Sequence, residues 1–181
     1  MGLDLDRRRF LSLAGLTGAS VLLGRSTFAD LGPARPRSLS FLNTHTGERV
    51  QDAVYWDGRF VPEGLAAIDR VLRDHRTGEV IAVDRHLLDV LHALRSDLAA
   101  TEPFHVISCY RSPQSNAKLR AAGRAVAERS LHMQGKAADV RLPGVPLDDL
   151  HRAAVALKAG GVGYYPGPSF VHVDVGRIRY W

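Results

Sequence analysis

Ser130-Leu131-His132-Met133-Gln134-Gly135-Lys136-Ala137-Ala138-Asp139 is the stretch around which the rest of the chain can be ordered. It sets an imidazole on a loop and a carboxylate near the start of an extended run, with Gly135 allowing the chain to turn between them. Residues 136–142 read as a strand on which Ala137, Asp139 and Arg141 share a face. His132 and Asp139 can then face one point. Both are zinc-compatible ligand types, but two ligands do not make a site. A third comes from Phe170-Val171-His172-Val173-Asp174-Val175. Strand alternation puts His172 and Asp174 on one face, and Val171, Val173 and Val175 on the core face. A catalytic zinc site takes three protein ligands and keeps a fourth position open, and His132, Asp139 and His172 complete such a set.

Outward from these two strands the chain reads as alternating short elements. Leu39 to Leu42 begins a strand, Thr46-Gly47 offers a turn, and Val50 to Trp56 offers a second strand ended by Asp57-Gly58. Leu65, Ile68, Val71 and Leu72 make the apolar face of a first helix. Asp84 caps a second, striped by Leu87, Leu91, Leu94 and Leu98. Phe104 to Cys109 is a further strand, and Pro113 to Gly123 a helix with Pro113 in its first turn. Gly123 to Arg129 is a polar loop, and Leu147 to Ala159 a helix ending at Gly160-Gly161. Val162 to Tyr165 and Phe170 to Val175 close the chain as a pair of strands. The fold class expected is α+β, an antiparallel sheet with helices packed on it, in a single domain.

The pattern Ser-x-His-x-x-Gly-x-Ala-x-Asp, matched at every fixed position from Ser130 to Asp139, resembles that of the LAS-type zinc peptidases. These include D-alanyl-D-alanine carboxypeptidases, murein endopeptidases and phage endolysins. Gly163-Tyr164-Tyr165 together with Phe170 to Gly176 is similar to the exported YcbK-like branch of that family, and Tyr110-Arg111-Ser112 resembles its Tyr-Arg-Ser segment. The resemblance covers about residues 38–181. It implies Zn(2+) on His132, Asp139 and His172, and Arg111 as the cation that holds the substrate carbonyl and stabilises developing negative charge. Ser130 and Gln114 are implied as substrate contacts or supports of the ligands.

Many relatives carry a Glu or a further His just before the last ligand, as general base. Here Pro168, Ser169, Phe170 and Val171 stand there. Asp174 is the nearest carboxylate, either the base or a partner that orients a histidine, and the expected mechanism takes it as the catalytic group that shuttles the proton to the leaving amine. In a third arrangement Asp174 is the ligand and His172 the base.

The remaining features concern location and exclusions. Arg7-Arg8-Arg9-Phe10-Leu11 precedes an apolar run of 14 residues, Leu11 to Gly24, and small residues end it near Ala29. A spanning helix needs about 20 residues. Residues 1–29 therefore read as a secretory signal resembling the twin-arginine type, residues 30–37 as a linker, and 38–181 as the zinc peptidase domain. The alternative is a retained anchor. The expected location is the periplasm or cell envelope, with no stable membrane insertion once the signal is cleaved.

The chain of 181 residues has a net charge of +5. Four Arg against two Asp in residues 1–29 account for +2 of it, which leaves +3 for the domain. That is no nucleic-acid footprint. The single cysteine, Cys109, excludes an intramolecular disulfide and reads as a small core residue. The activity that the resemblance implies is hydrolysis of peptide crosslinks in peptidoglycan, with the stem peptide as partner. The alternatives are a D-alanyl-D-alanine carboxypeptidase and a non-catalytic wall-binding module. Arg177 and Arg179 read as solvated edge-strand charges, and Tyr164, Tyr165 and Trp181 as groove or packing residues.

Overall fold

The computed structural model describes residues 35–124 and 126–181, so the signal expected at 1–29 and most of the linker lie outside the described residues. Seven strands form one sheet: β1 (Arg37–Asn43), β2 (Arg49–Trp56), β3 (Phe104–Ser108), β4 (Ala137–Arg141), β5 (Gly161–Tyr165), β6 (Phe170–Asp174) and β7 (Arg179–Tyr180). Their spatial order is β2-β1-β3-β4-β6-β5-β7. The α+β class is as expected, but the sheet is mixed. β1 runs parallel to β3, and β5 parallel to β7, while the other four pairs are antiparallel. β2 runs antiparallel to β1 and so returns the chain to the end where β1 starts, and two helices link it from there to β3, which can then run parallel to β1.

These are α1 (Pro62–Val71) and α2 (Arg85–Asp97); α3 (Pro113–Ala121) and α4 (Leu147–Leu157) follow later. The Asp84 side chain caps α2 by accepting from the His86 amide, and Leu87, Leu88, Leu91 and Leu94 are fully buried on the face behind it. Burying each leucine is worth about 1.5–3 kcal/mol. α1 lies on β1 and β2, α2 on β1 and against α4, and α4 on β5 and β6. Their apolar stripes meet Leu39, Phe41, Phe104, Val106, Val140, Val171 and Val173 in one core.

α4 ends earlier than expected. Lys158, at φ 50°, is the left-handed residue that stops it, rather than Gly160 or Gly161. α3 is the exception among the helices, because its buried residues are the polar Ser115 and Asn116. It covers a polar site instead of the core. His132 lies in a single 3-10 turn, Leu131–Gln134, where a loop was expected. No helix among the described residues is long and apolar enough to cross a membrane.

Candidate active site

The 3-10 turn is built by its ends. Ser130 caps it by accepting from the His132 amide at 3.4 Å, and Gly135 closes it in the left-handed region at φ 64°. The chain then enters β4, a strand buried along four of its five residues. Ala138 and Val140 face the core, which leaves Asp139 on the other face. In the β4–β6 register Asp139 lies directly opposite His172, and Ala137 opposite Asp174. Cross-strand pairing therefore brings together residues 33 positions apart.

Ligating atoms of His132, Asp139 and His172 all lie within 4.8 Å of one another. His132 Nε2 is 3.4 Å and His172 Nδ1 2.8 Å from the same Asp139 oxygen, Oδ1. Tetrahedral zinc with bonds near 2.0–2.1 Å separates its ligand atoms by about 3.3–3.4 Å, so small side-chain adjustments admit the ion.

The hydrogen bonds behind the rings choose the free nitrogens. His132 Nδ1 is 2.7 Å from the Cys109 carbonyl, which can only accept, so the ring hydrogen sits there and Nε2 offers its lone pair inward. His172 has a carboxylate at each ring nitrogen, Asp174 Oδ2 at 3.0 Å from Nε2 and Asp139 Oδ1 at 2.8 Å from Nδ1, so Nδ1 is the nitrogen on the side of the cluster. Burial opposes charge on Asp139, but the two neighbouring histidines outweigh it and hold its carboxyl well below the ordinary range. Burial also opposes the His172 cation, and Asp139 and Asp174 outweigh it to raise that ring's pKa. The fit to a metal rests on the donor set, two imidazoles and a carboxylate converging on one point. These residues fit zinc.

A cavity of about 460 Å³ opens over the three residues. Arg111, Ser130, Tyr165, Phe170, Arg179 and Trp181 are among its lining residues. Arg111 is buried, with a terminal nitrogen 3.9 Å from Asp139 Oδ2. Its hydrogen bonds to Asn116 and Ser108 are long, 3.4 Å each, and its Nε has no partner. The guanidinium is therefore held in place with donor capacity unspent.

Asp174 was expected as the base or as a histidine's partner. It is almost wholly buried and does not line the cavity. Oδ1 accepts from the Gly161 amide at 3.0 Å, the Gly176 amide at 2.8 Å and Arg179 at 3.2 Å. Oδ2 accepts from Arg179 at 2.7 Å and faces His172. Burial opposes its ionisation, yet His172, Arg179 and the two amides outweigh it and keep Asp174 far below the ordinary carboxylate range. Of the three arrangements, the geometry favours Asp174 orienting His172, because both its oxygens are taken up by other donors and His172, not Asp174, joins His132 and Asp139 in one cluster. A carboxylate with so low an affinity for protons, turned away from the cavity, is a poor proton carrier.

Gln114 is exposed on α3 and does not line the cavity. Asn116, half a turn further on, is the residue that reaches inward, joining Arg111 to the Ala127 carbonyl at 3.1 Å. Arg179 is more than a solvated edge charge, since it clamps Asp174.

Asp74 also escaped the sequence reading. It is fully buried and accepts from the Ser112 amide at 2.9 Å and the Ser112 hydroxyl at 2.7 Å, which fixes the residue next to Arg111. The signals for these three were local and weak: an Asp before a turn, an Asn in a helix and an Arg on a short strand. Cys109 lies in the core as expected, and burial pushes its thiol up to about 12.

The family described as "Peptidoglycan L,D-endopeptidase MepK" matches residues 32–181 of the chain. A protein of that name from Escherichia coli (strain K12) is 40% identical over 179 residues, spanning 98% of this chain and 98% of the relative. One named "Probable peptidoglycan L,D-endopeptidase MepK" from Haemophilus influenzae is 38% identical over 179 residues, 98% of this chain and 96% of the relative.

Proposed function

The chain belongs to the peptidase family described as peptidoglycan L,D-endopeptidase MepK, and from that premise we propose that it is a zinc-dependent murein endopeptidase cutting peptide crosslinks in which an L-centre is joined to a D-centre. The observation that carries the proposal is the convergence of His132, Asp139 and His172 beneath an open cavity that Arg111 also lines.

His132 Nε2, Asp139 Oδ1 and His172 Nδ1 are the atoms that would hold the metal. Zinc bound there supplies Lewis acidity toward water and carbonyl. Arg111 donates to the oxygen on which negative charge develops, a role suited to a buried guanidinium with fixed donors. Asp174 keeps the hydrogen on His172 Nε2 and so presents Nδ1 in the ligand direction, and Arg179 keeps Asp174 ionised. Asp139 is the sole carboxylate side chain lining the cavity among the described residues. Ser130 acts through the backbone turn that carries His132.

The stem peptide of peptidoglycan is the partner, and the cell envelope the place of action. Reading residues 1–29 as a twin-arginine-type export signal agrees with that location.

Digestion of purified sacculi with and without a chelator tests the proposal. New uncrosslinked monomers from L,D-linked dimers, absent with chelator and restored by zinc, are expected. Release of free D-alanine instead would identify a carboxypeptidase. A zinc-loaded protein that binds sacculi and releases nothing would identify a wall-binding module. Arg111→Ala should retain metal and lose about 10²–10³-fold in turnover.

A further inference from the structure

Trp181 is about half exposed, yet it is held from several sides. Its amide donates to the Val162 carbonyl at 3.2 Å, and its carbonyl accepts from the Tyr164 amide at 2.9 Å. The indole Nε1–H donates to the Tyr165 hydroxyl at 2.7 Å, and Tyr165 stacks on Phe170 with ring centroids 4.6 Å apart. The Arg179 guanidinium lies 4.9 Å from the indole centroid.

The ring also has a seat. Gly163 lies beneath it, where a Cβ would come within 2.7 Å of the indole. The centroid of the His172 ring is 5.3 Å away, and Trp181, Tyr165 and Phe170 all line the cavity over the metal ligands. Trp181 is fixed in place, half exposed, and borders the cavity that it helps to line. A rigid, partly wet aromatic surface loses little entropy when a ligand packs on it.

We propose that Trp181, backed by Tyr165 and seated on Gly163, is a specificity-determining substrate contact. Its open surface packs against the aliphatic part of the stem-peptide segment flanking the scissile bond. The inference rests on the endopeptidase reading for the identity of the peptide, but not for the existence of the contact surface.

The test uses wild type, Trp181→Ala, Trp181→Phe and Gly163→Ala, with crosslinked dimer muropeptides released from purified peptidoglycan by a glycan-cleaving enzyme. Steady-state kinetics should show KM raised about tenfold in Trp181→Ala, consistent with losing one aromatic contact surface, while kcat changes less than about threefold. Metal content per chain should be unchanged, and Trp181→Phe should recover most of the loss. Gly163→Ala, which must displace the ring, should shift KM in the same direction.

Unaltered KM in Trp181→Ala, or a loss confined to metal content and kcat, would overturn the proposal and leave Trp181 a prop for His172. Binding of the same dimers to chelated protein, followed by calorimetry, gives a readout that needs no turnover. If wild type binds the dimers but cleaves none, the endopeptidase reading fails and the contact stands. If wild type and Trp181→Ala bind them equally, the contact fails. Should Trp181→Ala not fold, Trp181→Phe and Gly163→Ala carry the comparison, and unchanged KM in Gly163→Ala would overturn the proposal.

Discussion

Replacing Asp174 by Asn separates an orienting carboxylate from a proton carrier, because the shape is kept and one oxygen becomes a donor. Oδ1 can still accept from the Gly161 and Gly176 amides. The new amide nitrogen takes the place of Oδ2 and meets two donors, Arg179 at 2.7 Å and His172 Nε2 at 3.0 Å. One buried charged hydrogen bond is then lost and another inverted. A charged hydrogen bond contributes about 1.5–3 kcal/mol, and Arg179 is about a third exposed, so water takes over part of its loss.

The expected net cost is about 2–3 kcal/mol, or roughly 5–10 °C in Tm for a chain of this size. Loss of a metal ligand's partner typically weakens metal binding about 10–100-fold, equivalent to about 1.4–2.7 kcal/mol. Thermal melts and competitive zinc titration measure the two effects. The sign with pH follows from the depressed carboxyl: the wild-type contribution is present above the ordinary value of 3.8 and is lost as pH falls below it. The stability gap between wild type and Asp174→Asn should therefore be full at neutral pH and narrow in acid. An Asp174→Asn protein with wild-type zinc affinity and wild-type Tm, defective only in turnover, would refute the orienting role and restore the proton-shuttle one.

Three further outcomes are expected. Cys109, buried and with its thiol pushed up to about 12, should resist iodoacetamide in the native protein and react fully in denaturant; stoichiometric labelling of native protein by mass spectrometry would contradict its place in the core. Asp74→Asn should cost about 2–4 kcal/mol by chemical denaturation and lower kcat by loosening Ser112 beside Arg111, again with the gap closing as pH falls below 3.8. Gly135→Ala places a Cβ at φ 64° with Ile81 Cδ1 at 3.1 Å and the Ala82 oxygen at 3.3 Å, and should cost about 1–2 kcal/mol together with a measurable loss of zinc affinity. Unchanged zinc binding in that variant would mean that the 3-10 turn does not set the position of His132.

Legibility divided according to the range of the interaction. The strand alternation that pairs His172 with Asp174, the leucine stripe behind the Asp84 cap and the reversal at Gly135 all depend on residues within a turn or two of one another, and all were readable from residue type and spacing. The convergence of His132, Asp139 and His172 was expected from a ten-residue pattern and a second strand; the β4–β6 register sets Asp139 against His172, and the 3-10 turn before β4 brings in His132.

The choice of Asn116 over Gln114 was not readable, because both lie on one short helix whose inward face is polar and leaves no apolar stripe to follow. Asp74 and Ser112 stand 38 residues apart, and their hydrogen bonds exist only because the turn carrying Asp74 folds back onto the start of α3. Asp174 and Arg179 are close in sequence, but whether that carboxylate faces solvent, cavity or guanidinium was decided by β5 and β7 closing around it. The sequence alone determined which residue types could bind a metal and which faces they share. The tertiary structure decided which donors saturate Asp174, which leave Arg111 unsatisfied and which half-exposed aromatic ring borders the cavity, since each depends on contacts between elements that no local period encodes.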